Sequence, residues 1–267
     1  MSRTIVLIHG AWVTPLSWQP FIGFFEQRGY TCIAPAWPGK DRSVEAIRAD
    51  PSPLIGLGIA EIVDHYERII RELPEPPILI GHSFGGLFVQ ILLDRGLGAA
   101  GVAIDPAPPK GIFAYEPSAY RSLASVLFTW RAWRKVVRWS FENFRYAFVH
   151  PLSPDEQHAA YETYVTPETG RVFFQAAFTN FAPNSPARVN FRNGARAPLM
   201  MIAGEVDRIV PASIVRRNFR RYTRSTAVTD LREFPGRSHW IIAQEGWQEV
   251  ATDIALWLES PRISRTA

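Results

Sequence analysis

The sequence predicts an α/β fold: a mostly parallel sheet of six strands, flanked by helices and interrupted by an inserted helical cap. Three observations carry this. Short unbroken runs of apolar β-formers alternate with segments of helical period through the first hundred residues, the pattern of a parallel sheet covered on both faces. One such run, over residues 77–80, ends in the turn Gly81-His82-Ser83-Phe84-Gly85 and continues as a helix. The alternation breaks after Asp105-Pro106-Ala107-Pro108-Pro109 and resumes at Leu199.

Taken in order, the first strand is the apolar run over residues 4–8, and it exits through His9-Gly10-Ala11-Trp12. Pro15 suits a first helical turn, and Gly29 closes the helix that follows. Residues 31–34 form a second strand, followed by the loop Pro35-Ala36-Trp37-Pro38-Gly39. From 54 to 73 Ile55, Ile59, Ile62, Val63, Tyr66, Ile69 and Ile70 recur at helical spacing with charges between them. Pro74-Glu75-Pro76-Pro77 stops that helix. The third strand leads into the serine turn, a helix runs on to about Arg95, and residues 101–104 make a fourth strand.

No strand pattern is visible in the insertion, residues 111–194. Trp130, Trp133, Val137, Phe141, Phe144 and Phe148 step by three and four, which predicts one amphipathic helix packed on the protein's own core rather than on a membrane. The core then resumes with a strand at 199–203, the loop Gly204-Glu205-Val206-Asp207 and a helix from about Ala212. A last, edge-like strand covers 230–234, and a closing helix runs from about Gly246 to Leu258. The tail 260–267 is expected to fray. The core is thus residues 1–110 and 195–267.

Composition narrows the function. A chain of 267 residues with 47% hydrophobic and 20% charged residues fits one large soluble domain with an insertion. The net charge of +4 is carried by arginines dispersed along the chain, with no basic run, which argues against a nucleic-acid partner. No apolar run reaches membrane-spanning length, so stable membrane insertion is not expected. The single cysteine, Cys32, permits no internal disulfide, and the N-terminus carries no signal-type segment; both point to the cytoplasm. With one cysteine, scattered histidines and no G-x-G-x-x-G, neither a metal nor a cofactor is expected.

The post-strand loops carry a coherent chemistry. In G-x-S-x-G the flanking glycines let the chain turn tightly enough to lift a serine hydroxyl off the sheet edge and place it at a helix N-terminus. A serine is a poor nucleophile at neutral pH without a base, and His239, after the sixth strand, is the candidate. Asp207, after the fifth, would fix the imidazole tautomer; Asp105, after the fourth, is its rival. The N–H groups of Ala11 and Phe84 are the candidate oxyanion donors. Trp12, Trp37, Ile209 and Trp240 are expected to line the pocket. His9 reads as a brace for the oxyanion loop, and His82 as facing away from the pocket.

On His9-Gly10, Gly81-His82-Ser83-Phe84-Gly85, the Gly-x-x-Asp-x-x-Val-Pro run at 204–211 and Ser238-His239, in the order Ser, Asp, His, the chain resembles the α/β-hydrolase-fold enzymes. The resemblance covers roughly 1–110 and 195–267 and places the middle segment where that family carries its helical cap. It implies a serine hydrolase, specifically a carboxylesterase that acts through an acyl-enzyme on Ser83 and takes a small-molecule ester with an apolar acyl or alcohol group. His9-Gly10-Ala11-Trp12 departs from the HGGG form of one lipase branch and is similar to the short-chain esterase and hydroxynitrile-lyase branch. Carbon–carbon hydrolysis, perhydrolysis, cyanohydrin lysis and a small-molecule receptor with little turnover therefore stay open, as does the choice between monomer and homodimer.

Overall fold

A computed structural model describes residues 2–264. In chain order the strands are β1 Thr4–Ile8, β2 Thr31–Ile33, β3 Ile78–His82, β4 Ala100–Ile104, β5 Val136–Val137, β6 Glu168–Thr169, β7 Leu199–Gly204 and β8 Thr229–Phe234. Six of them form one sheet in the order β2-β1-β3-β4-β7-β8, every neighbouring pair parallel. Its strands alternate side chains between two cores. Ile5, Leu7, Ile78, Ile80, Val102 and Ile202 pack under α1 (Gln19–Glu26) and α10 (Trp247–Glu259). Val6, Ile8, Leu79, Ala103 and Met201 face α3 (Ile59–Arg71), α4 (Phe84–Asp94) and α9 (Ala212–Arg221). Both faces being buried explains why these strands read as unbroken apolar runs. Val250, Ile254 and Leu258 of α10 are fully buried, each contributing about 1.5–3 kcal/mol.

Topology positions the site. The chain leaves β1 toward β2 on one side and returns to β3 on the other, so the loops after β1 and β3 meet where the strand order reverses, the usual place for a ligand in an open parallel sheet. Register fixes the approach: Ile8 pairs with Gly81, and His82 with Ile104.

Local structure departs from the sequence reading in several places. The helix expected from 54 begins only at Ile59, because Gly56 takes φ 80° and Gly58 forms the N-cap, leaving Ile55 outside the helix. A short helix, α2 (Val44–Ala49), capped by the Ser43 side chain, stands where none was expected. The aromatic stripe 130–148 is not one helix. Arg131 turns to φ 57°, Val136–Val137 pairs with Glu168–Thr169 as an antiparallel ribbon, and α6 (Phe141–Ala147) starts afresh at a Ser140 cap. The insertion thus holds two short strands where none was expected, besides α5 (Pro117–Leu127), α7 (Pro154–Tyr164) and α8 (Gly170–Ala177). Of the tail expected to fray, Pro261–Ser264 is a helical turn, and 265–267 lie outside the described residues. No helix among the described residues is long and apolar enough to cross a membrane.

Candidate active site

Ser83 sits between the last residue of β3 and the first of α4 at φ 58°, ψ −119°. A side chain in that region costs on the order of 1–3 kcal/mol and persists only when its surroundings enforce it. They do. The Ser83 N–H donates to the Ile104 carbonyl (2.9 Å), and its carbonyl accepts from Leu87 (3.2 Å) and Ala107 (2.9 Å). The flanking glycines are demanded by space: a Cβ on Gly81 would lie 2.2 Å from the Gly85 carbonyl oxygen, and one on Gly85 2.0 Å from that of Ile8.

His239 and Asp207 meet behind this turn. The His239 Nδ1–H donates to Asp207 Oδ2 at 2.5 Å, both side chains wholly buried. Asp207 is aimed by its own loop, since Oδ1 accepts the N–H groups of Ile209 (2.7 Å) and Val210 (2.9 Å). With Nδ1 committed, the other ring nitrogen, Nε2, is buried without a hydrogen-bond partner among the described residues. Ser83 and His239 line the same cavity. No hydrogen bond joins their side chains.

Asp105, the rival carboxylate, does another job. Its Oδ1 accepts the Gly204 N–H at 2.7 Å, while Oδ2 has no donor and faces the Asp207 carboxylate. Burial, and next the charge of Asp207, push Asp105 well above the usual carboxyl range. His82 lies behind His239, ring centroids 4.6 Å apart, and donates from Nε2 to the His239 carbonyl at 2.8 Å. Burial, and then the neighbouring His239, hold His82 well below its ordinary pKa. His82, Asp105 and His239 bring one ligand-type atom each within 4.8 Å.

The loop after β1 lies against the serine turn. A Cβ on Gly10 would be 2.7 Å from that of Ser83. His9 is a brace: Nδ1–H donates to the Gly10 carbonyl (2.8 Å), Nε2 accepts the Trp37 N–H (3.1 Å), and burial with the Lys40 cation keeps the ring neutral. Ala11 lines the cavity, and its N–H has no acceptor among the described residues; Phe84 lines it too, as the first residue of α4. Trp12 follows at φ 71°, its indole stacked between Trp139 (4.5 Å) and Phe173 (4.9 Å) of the insertion.

The cavity has a volume of about 220 Å³, and no charged side chain lines it. Trp12 and Ile209 stand at its wall. Trp37 and Trp240 do not, and this corrects the expectation from sequence that they line the pocket. Trp37 is spent on His9, which it stacks against and whose carbonyl takes its Nε1–H (3.1 Å). Trp240 packs against Phe148 and Tyr164 instead. Most of the wall comes from insertion residues that sequence did not assign to the pocket, among them Ile112, Leu123, Trp139, Phe173 and Asn180. Nor does sequence pair Lys40 with Glu168, a buried ion pair at 2.6 Å. They lie 128 positions apart in unremarkable sequence, and only the fold brings them together.

The profile of the alpha/beta hydrolase family matches residues 5–253, and the chain belongs to that family. Among solved structures it is similar to a Paleococcus ferrophilus monoacylglycerol lipase (22% identity, TM-score 0.65, covering 98% of this chain and 94% of that one). It is similar also to a Sphingobium faniae JZ-2 pyrethroid hydrolase (17%, TM-score 0.69, 98% and 99%) and to tomato methylketone synthase I (12%, TM-score 0.64, 97% and 98%). At these identities the likeness is one of fold. No curated protein sequence matches the chain.

Proposed function

Starting from that family membership, we propose that the chain is a serine hydrolase that cleaves carboxylic esters with an apolar acyl or alcohol group. One observation carries the reading: a buried imidazole with Nδ1 fixed on Asp207 and Nε2 unpartnered, lining the same apolar cavity as a serine on a strained turn. In this reading His239 Nε2 takes the Ser83 proton as Oγ attacks the ester carbonyl. The Ala11 and Phe84 N–H groups hold the oxyanion, each donor being worth about 3–4 kcal/mol in the transition state. Collapse expels the alcohol, which receives its proton from His239. A water, deprotonated by the same nitrogen, then releases the acid from Ser83. Asp207 keeps the tautomer and stabilises the imidazolium.

Residues 111–194 act as the cap in this proposal, supplying the apolar wall. Cyanohydrin lysis, which needs a cationic side chain at the pocket, is disfavoured because neither Lys40 nor Lys110 lines the cavity: Lys40 is sealed against Glu168, and Lys110 donates to the carbonyls of Ala182 and Pro183. A cytoplasmic setting fits the single thiol, Cys32, half-buried and pushed up to about 11 chiefly by burial.

The test is turnover of p-nitrophenyl butyrate with a fluorophosphonate mass shift. Ser83→Ala should lower kcat by about 10⁵–10⁶-fold and abolish the adduct. Turnover that survives Ser83→Ala, or no turnover of any ester in a graded chain-length series, overturns the reading.

A further inference from the structure

We propose that Glu168 and Lys40 are positioning residues, a buried clamp by which the insertion holds the oxyanion loop in its working shape. The inference rests on the esterase reading for the role of Ala11, but the clamp itself stands on geometry. Trp12, next to Ala11, has the left-handed backbone that an aromatic residue avoids unless held. Both of its peptide groups are satisfied from the insertion. Its N–H donates to Glu168 Oε2 (3.2 Å), and its carbonyl accepts the Thr166 N–H (2.8 Å).

Lys40 ties the arrangement together. Its ammonium donates to the Val13 carbonyl (3.0 Å), to Thr166 Oγ1 (3.1 Å) and to Glu168 Oε2 (2.6 Å), so all three of its protons are used. Both charged side chains are wholly buried. A buried ion pair is a weak way to gain stability, since well-packed apolar residues often do as well or better. What apolar residues cannot do is accept the Trp12 N–H and donate to the Val13 carbonyl. The pair therefore fixes the loop's shape more than the fold's stability. Glu168 leads directly into α8, whose Phe173 lines the cavity, so the clamp and part of the wall belong to one stretch of chain.

The experiment compares wild type with Glu168→Ala, Glu168→Gln and the double variant Lys40→Met/Glu168→Leu. The double variant replaces the pair with apolar volume and leaves no lone buried charge, so it should stay folded, with a Tm no lower than that of Glu168→Ala, while its kcat on p-nitrophenyl butyrate falls about 10- to 100-fold, with KM within about threefold, as misplacement of a catalytic donor does. Amide exchange at Trp12, whose N–H loses its acceptor, should quicken at least tenfold in it. Glu168→Ala should lose kcat to a similar extent, and Glu168→Gln, which keeps an oxygen for the Trp12 N–H, should recover most of it. A stable double variant with wild-type kcat, or with unchanged exchange at Trp12, overturns the clamp. A wild-type protein that turns over no ester sinks the esterase reading instead, and the exchange comparison still decides whether the loop is held.

Discussion

The floor and the mouth of the cavity invert the ordinary arrangement of a soluble protein. Behind the floor, polar and ionisable groups are buried: His9, Lys40, His82, Asp105, Asp207, Glu168 and, lining the floor itself, His239. At the mouth, large apolar side chains are exposed: Phe113, Tyr115, Tyr120 and Phe181 at the cavity wall, and Phe128 directly after Leu127 of that wall. Buried polar groups and exposed apolar clusters are the two departures that usually carry function. They differ in precision. Most polar atoms at the floor are held by directed hydrogen bonds, His82 Nδ1, Asp105 Oδ2 and His239 Nε2 being the exceptions among the described residues, and those bonds specify a single geometry. The mouth offers area without directional bonds, so it selects by size and polarity only.

This contrast orders the expected effects. The largest lies at the floor, between two carboxyls in one buried cluster. Asp207→Asn should lower kcat by about 10⁴-fold, because an amide no longer selects the tautomer that leaves Nε2 free. Asp105→Asn should cost less than about tenfold, since burial and the charge of Asp207 favour a neutral group there and an amide oxygen can still accept the Gly204 N–H. Equal losses in the two variants would erase the distinction between them.

The next effect is acid sensitivity. Burial holds His9 and His82 well below their ordinary pKa, and His150, partly buried beside Arg208, is drawn down to about 4. The unfolded chain therefore binds these protons below about pH 6.5 while the folded protein does not, so stability is full above that pH and falls as pH drops. Asp105 works the other way. Its raised pKa favours the folded state at low pH, and that contribution fades as pH rises from about 4. Urea unfolding from pH 7 to 5 should show stability falling by on the order of 1.4–2.7 kcal/mol per pH unit, more steeply in Asp105→Asn. A flat profile would mean that the histidines are not held neutral.

The smallest effect belongs to the mouth. Phe128→Ser with Phe181→Ser should leave kcat on a short soluble ester within about twofold. It should raise KM for long-chain esters by about three- to tenfold, the scale of one or two methylenes of apolar contact. A large loss on short esters would give the mouth the precision assigned to the floor.

The same division explains what could be read from sequence. The six core strands are legible because both sheet faces are buried, and Ser83, Asp207 and His239 because each follows such a strand in a loop of recognisable shape. The insertion is less legible. Trp130 to Phe148 keep helical spacing, yet a left-handed Arg131 and the Val136–Val137 ribbon break the helix, and neither has a local signal. Trp37 and Trp240 look like pocket residues because loop tryptophans often are, whereas here they brace His9 and pack beside Phe148. The Lys40–Glu168 pair depends on contacts between distant segments and cannot be inferred from period or motif.

The indole of Trp12 lies 4.5 Å from that of Trp139 with their planes 9° apart. Two chromophores so close and so nearly parallel share their electronic transitions. The protein thus carries its own optical gauge of whether the insertion is seated: the near-ultraviolet circular dichroism of the pair weakens when the rings part, with no dye attached.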